Sequence, residues 1–200
     1  MSAPSSSPSP SAPLLLATRN DHKLREFGRL LPGVALDPLP AELESPEETG
    51  STYAENALIK ARAAAAATGR LVIADDSGIE AAALGGAPGV RSARYSGEDA
   101  TDGENLAKLR AEVPEGTGLR YVCVIALVRP DGPEQLFEGT CDGVMAPAGR
   151  GSRGFGYDPV FVAGDPSAGG RTMAELSDAE KDAISHRGRA ARALLAALAG

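Results

Sequence analysis

Tryptophan is absent from the 200 residues, and aromatic residues make up only 4% of them. A ligand site or interface built mainly on aromatic anchors is therefore excluded. Histidine is nearly as scarce, with only His22 and His186. Two histidines and two cysteines (Cys123 and Cys141, with no CxxC spacing) do not make a zinc centre or a disulfide framework. The cysteines suit a reducing compartment as small buried apolar residues. No apolar run approaches the roughly 18 residues that a membrane span needs. Positive charge is also short: 20 Lys and Arg against 27 Asp and Glu leave a net charge of −7. A general nucleic-acid binder needs a positive face for phosphate contacts, so that class is disfavoured.

What remains is an ordinary globular composition, 42% hydrophobic and 24% charged, enough for one domain with its own core. Residues 1–13 contain only Met, Ser, Ala and Pro and are expected to form a disordered tail. This start lacks the basic stretch of a secretory signal, and Leu14–Ala17 is too short to be its apolar core. The chain reads as cytoplasmic, with no membrane or nucleic-acid partner, and the folded domain as residues 14–200.

Leu14–Ala17 reads as a buried strand, and Leu24, Phe27, Leu30 and Leu31 recur at helical spacing until Pro32-Gly33. The acidic stretch 41–50 reads as a loop. Thr52 and Glu55 form a capping-box pair opening a helix over about 53–68, with Gly69 as its stop. Leu71–Ala74 reads as a second buried strand that delivers Asp75-Asp76-Ser77-Gly78 at its C-terminal end. A helix is expected over 101–111 and a hairpin of Tyr121–Val128 with Gln135–Gly139. A Gly-rich loop over 149–158 and a short strand over 159–162 follow. Ser177 and Glu180 open a last helix, kinked or broken near Gly188. The class is α/β with a mixed sheet.

Four segments carry polar residues that a scaffold does not need. Thr18-Arg19-Asn20-Asp21-His22-Lys23 joins a strand to a helix start, where backbone N–H groups and basic side chains attract anions. Glu47-Glu48 and Asp75-Asp76 supply carboxylates that suit Mg²⁺, a hard cation commonly bound by one or two of them plus substrate phosphates. Phe155-Gly156-Tyr157-Asp158, with Ser185-His186-Arg187, offers a ring and donors that suit a purine base.

At this point the chain resembles a known family, the inosine/xanthosine triphosphate pyrophosphatases that remove non-standard purine nucleotides. The matching stretches are LLLATRNDHKLREF, EETGSTYAENALIKARAAAAATG, IADDSGIEAAALGGAPGVRSARYSGEDATD, GFGYDPVF and MAELSDAEKDAISHRGRA. The family often has Gly where this chain has Arg19. The resemblance implies an elongated mixed sheet flanked by helices, two lobes with an active-site cleft between them, and a homodimer. It implies Mg²⁺-dependent hydrolysis of ITP, dITP and XTP to the monophosphate and pyrophosphate. Carried onto this chain, the triphosphate falls on Thr18, Arg19, Asn20, Asp21, His22 and Lys23, with Lys60 as a further phosphate contact. The metal falls on Glu47 and Asp76, and Ser77 contacts substrate. The base falls on Phe155, Gly156, Tyr157 and Asp158, with Lys181, His186 and Arg187.

A fitting reaction is in-line attack of water on the α-phosphorus, with Asp76 as general base and Asp75 and Glu48 as alternatives. A pyrophosphatase for other modified nucleotides and a catalytically silent nucleotide-binding module are the rival readings.

Overall fold

The computed structural model describes residues 13–130 and 132–199, so the expected tail falls almost wholly outside the described residues. A six-stranded mixed sheet has the order β2-β1-β3-β4-β5-β6. Strand β1 (Leu14–Leu16) lies parallel to both β2 (Leu36–Pro38) and β3 (Val72–Ala81). From β3 onward the sheet is antiparallel, through β4 (Gly118–Val128) and β5 (Glu134–Met145) to β6 (Phe161–Ala163).

Both faces are covered, which explains the unbroken apolar run at the start of the fold. Side chains alternate along a strand. Leu14 and Leu16 accordingly pack with Phe27 of α1 (Asp21–Leu30) and with Ala190, Ala191 and Leu194 of α5 (His186–Ala199). Leu15 and Ala17 pack on the other face, against Ala57, Ala61, Ala64 and Ala65 of α2 (Tyr53–Thr68). The small alanine side chains let α2 approach β3 and β4 closely. Its N-terminus carries the expected Thr52–Glu55 capping box and its C-cap is Gly69 in the left-handed conformation. A third cluster joins Leu109 of α3 (Asp102–Glu112) to Tyr121, Met145, Phe161 and Met173.

Three features differ from expectation. Strand β2 was not expected: three residues ending in Pro38 carry no period, and the proline is tolerated because β2 is an edge. Strand β3 does not end at Ala74 but continues through Asp75–Gly78 to Ala81, because β4 pairs with it from Val72–Val128 to Ala81–Leu119. The ladder overrides the loop preference of Asp, Ser and Gly. The last helix breaks at Ser185, not at Gly188. Residues Asp178–Ile184 form α4, Ser185 is extended (φ −66°, ψ 156°), and its hydroxyl accepts from the Gly188 N–H at 3.1 Å. Gly188 serves the close approach instead, since a Cβ there would collide with the Asp182 carbonyl.

Candidate active site

The site follows from unequal strand lengths. Strand β1 stops at Leu16, and the Ala17 N–H to Ile73 carbonyl bond at 2.8 Å is the last link on that side. Strand β3 runs on for eight more residues, so its stretch Asp76–Ile79 borders a cavity of about 310 Å³ instead of a neighbouring strand. Such openings at the carboxyl ends of parallel strands are the usual ligand positions in α/β sheets. The chain leaving β1 forms one wall: Thr18, Arg19 and Asn20 line the cavity, Asn20 caps α1 by accepting from the Lys23 N–H at 3.0 Å, and Lys23 lines it too.

Asp75 and Asp76 are adjacent on a strand, so their side chains leave it in opposite directions. Asp75 is fully buried, 3.0 Å from Lys23 Nζ and 3.3 Å from Arg187 Nη2, while its Oδ1 has no partner. Burial disfavours its charge, but Lys23, Arg187 and Lys60 outweigh that and hold the carboxyl well below the usual range. Asp76 reaches the cavity from the α2 side. It accepts from Asn56 Nδ2 at 3.1 Å and lies 3.7 Å from Lys60 Nζ. For Asp76 burial wins: its pKa is raised, despite Lys60 and Lys23. Lys60 also pairs with Glu48 at 2.5 Å, and its partners Asp75, Asp76 and Glu48 keep it charged in spite of burial.

The opposite end is built on Asp158. It accepts from the Phe155 N–H (3.0 Å), from Tyr121 Oη (3.2 Å) and from Lys181 Nζ (2.5 Å). Gly154, at φ 71°, allows the loop to wrap this carboxylate, which a Cβ would strike. Lys181 also donates to Glu26 at 2.8 Å, Glu26 pairs with Arg187, and Arg187 donates to Ser77 Oγ at 2.8 Å. The Phe155 ring has Lys181 Nζ 5.1 Å from its centroid and the His22 ring stacked at 4.9 Å. His186 stacks on Tyr121 at 4.6 Å, and its Nδ1 is buried without a partner. Burial, reinforced by Arg187 and Lys181, pushes its pKa far down, so the imidazole is neutral.

Of the residues singled out in the sequence, the cavity wall brings together the turn residues Thr18, Arg19, Asn20 and Lys23. It adds Lys60, Asp76 and Ser77 in its middle, and Phe155, Gly156, Tyr157 and Asp158 with Lys181, His186 and Arg187 at the far end. Asp21 is exposed in the first turn of α1 and outside the wall, and His22 meets the site only through Phe155. Two of the residues stand apart from this set in their placement. The loop carboxylate in the cavity is Glu48, whereas Glu47 is exposed and outside the wall. Lys60 draws the Glu48 carboxylate inward, and Arg94 Nη2 holds the Glu48 carbonyl at 3.2 Å. Arg19 lines the cavity, but its guanidinium donates to the carbonyls of Leu39, Pro40, Ala41 and Leu43.

The sequence reading passed over several residues of the wall, Ser92, Asp102 and Tyr121 among them, and two buried polar groups behind it. Glu26 looks like a charge on an amphipathic helix, yet it is buried between Lys181 and Arg187; its position three residues after Lys23 places both on one face. Asn56 is fully buried, one residue before Ala57 on the apolar face of α2, and a lone amide beside that stripe is the signal that could have revealed it.

The Ham1 family model matches residues 14–197. A dITP/XTP pyrophosphatase of Symbiobacterium thermophilum is 52% identical over 181 residues, covering 88% of this chain and 90% of the relative. Its counterpart in Geobacillus kaustophilus is 49% identical over 185 residues, covering 88% and 89%. Among solved structures, a HAM1 protein from Coxiella burnetii superposes with a TM-score of 0.81 at 44% identity, covering 93% of this chain and 98% of that one. The Staphylococcus aureus Ham1 protein gives 0.79 at 40% identity, covering 94% and 98%. A match that runs from the first buried strand into the last helix, on relatives about half identical over nearly their whole length, leaves one conclusion: this chain belongs to the Ham1 family.

Proposed function

We propose that this protein hydrolyses non-standard purine nucleoside triphosphates (ITP, dITP and XTP) to the monophosphate and pyrophosphate. The observation that carries the reading is one cavity with two chemically distinct ends. Asp76, Glu48 and Lys60 meet at one end, and Phe155, His186 and Lys181 surround the other. The names of the Symbiobacterium and Geobacillus relatives, dITP/XTP pyrophosphatases, support dITP and XTP among these substrates.

The charge balance supports a divalent cation. The ion-paired side chains around the cavity are four cations (Lys23, Lys60, Lys181, Arg187) against five carboxylates (Glu26, Glu48, Asp75, Asp76, Asp158). Such a set has no surplus positive charge for a triphosphate. Among the described residues no group of three or more His, Cys, Asp or Glu could by itself hold a metal. Two carboxylates completed by substrate phosphates are, however, ordinary for Mg²⁺. Asp76 and Glu48 would hold it, and when bound it offsets charge on the departing pyrophosphate.

The chain's own residues then have separate tasks. Lys23, Lys60 and the turn residues Thr18 and Asn20 receive the phosphates. Asp76 takes the proton of a water whose oxygen attacks the α-phosphorus as the bond to the β-phosphate oxygen breaks. Phe155 stacks on the base. A 6-oxo purine presents an acceptor to Lys181, Arg187 and His186, where adenine presents a donor. An unpaired buried polar group costs on the order of 1–3 kcal/mol, so a few such contacts discriminate strongly. We read the protein as one cytoplasmic domain that works as a homodimer. Among the described residues no helix is long and apolar enough to cross a membrane.

The test is pyrophosphate release from ITP, XTP, GTP and ATP, with and without EDTA. Fast, EDTA-sensitive release from ITP and XTP is expected. Equal rates on all four overturn the selectivity, and tight nucleotide binding without release makes the protein a binding module.

A further inference from the structure

The loop from Leu39 to Gly50 joins β2 to α2 and carries Glu48 to the cavity, yet it has no strand partner to satisfy its carbonyls. Backbone carbonyls need partners, and here a side chain from another segment supplies them. Arg19 Nη1 donates to the Leu39 carbonyl at 3.0 Å, and Nη2 reaches those of Pro40 at 2.5 Å, Ala41 at 3.3 Å and Leu43. Leu39 and Leu43 are thereby held against the alanine face of α2. The far end of the loop is pinned separately, by Arg94 on the Glu48 carbonyl and by the Gly50 N–H on Asn56 Oδ1 at 2.8 Å. Ser45 stands between the two anchors and Glu48 at the start of the second, both in the cavity wall.

We propose that Arg19 is a positioning residue. Its guanidinium clips the β2–α2 loop to the turn after β1, and so sets Glu48 opposite Lys60 and Asp76. It acts through Glu48 and does not bind phosphate. The planar fork suits this task, because it offers several donors in fixed directions, which an ammonium does not. One side chain thus links the wall that receives phosphate to the wall that carries the carboxylate. The kinetic part of this inference rests on the proposed hydrolysis; the structural part does not.

The test uses Arg19→Lys and Arg19→Ala in the full-length protein. Amide hydrogen exchange is measured first, without nucleotide or metal. Exchange over residues 41–49 is expected to quicken about tenfold in both variants while α5 is unchanged. In pyrophosphate release, kcat is expected to fall about tenfold in both, with KM altered less than about threefold. In an E48Q background, Arg19→Ala should cost much less than in the wild type, because both act on one element. Unchanged exchange, a KM rise with kcat preserved, rescue by Arg19→Lys, or full additivity with E48Q each overturn the proposal in favour of a phosphate contact. Absence of pyrophosphate release in the wild type overturns the proposed function instead, and the exchange data still decide whether the clip exists.

Discussion

Asp75 and Asp76 are neighbours in β3 whose carboxyl groups are driven in opposite directions. Asp75 is held ionised by Lys23 and Arg187, while burial lifts the pKa of Asp76. Adjacent strand residues enter different surroundings, so one pair of acids supplies both a buried structural anion and the carboxyl group proposed as the base.

This contrast separates two mutants. Asp76→Asn is expected to reduce turnover at least about 10³-fold, within the range for loss of general base and metal binding. A raised folded-state pKa means that folding favours the neutral form, so the amide should leave the melting temperature unchanged or higher. Asp75→Asn should do the reverse to stability. It strands Lys23 and Arg187 beside a neutral group, at a cost of about 3 kcal/mol in urea unfolding.

Acid should weaken the fold partly through Glu26. Burial opposes its charge, but Arg187 and Lys181 prevail and lower its pKa below the ordinary 4.5. A depressed folded-state pKa stabilises above the unfolded value and loses that contribution as pH falls through the folded one. Stability should therefore drop on acidification below about 4.5, and Glu26→Gln should flatten that slope while lowering stability at pH 7. Urea melts across pH 3–7 measure both.

Lys60 lowers the pKa of Asp76 while burial raises it. Lys60→Met should move the acidic limb of kcat/KM to higher pH and cut activity about tenfold or more. An acidic limb that stays in place would show that the limb belongs to another group.

At the base end, Phe155→Ala removes the stacking face. Stacking of a base on an aromatic ring is worth about 1–3 kcal/mol, so KM for ITP should rise about fivefold or more with kcat less affected. Steady-state kinetics on ITP and XTP check this.

Local signals were readable in the sequence. The apolar run at Leu14–Ala17, the Thr52 and Ser177 capping boxes and the alanine face of α2 each determine structure within one turn or strand, and each element formed. Signals that depend on distant partners were not readable. Which of Glu47 and Glu48 turns inward is settled by Lys60 and Arg94, far away in the chain. The continuation of β3 through Asp75–Gly78 is imposed by β4. The destination of Arg19 lies 20 to 24 residues on, in a loop without periodicity.

The interruption at Ser185 also decides which way three cavity-lining side chains point. In an unbroken helix, at about 100° per residue, Arg187 would lie roughly 120° from Lys181 around one side of the axis and His186 about 140° from it around the other. No single concave wall could receive all three. By restarting the helix along a new direction, the chain aims an ammonium, an imidazole and a guanidinium from one short sequence stretch into the same chamber. A designer who straightened this helix for rigidity would scatter the three side chains around its axis.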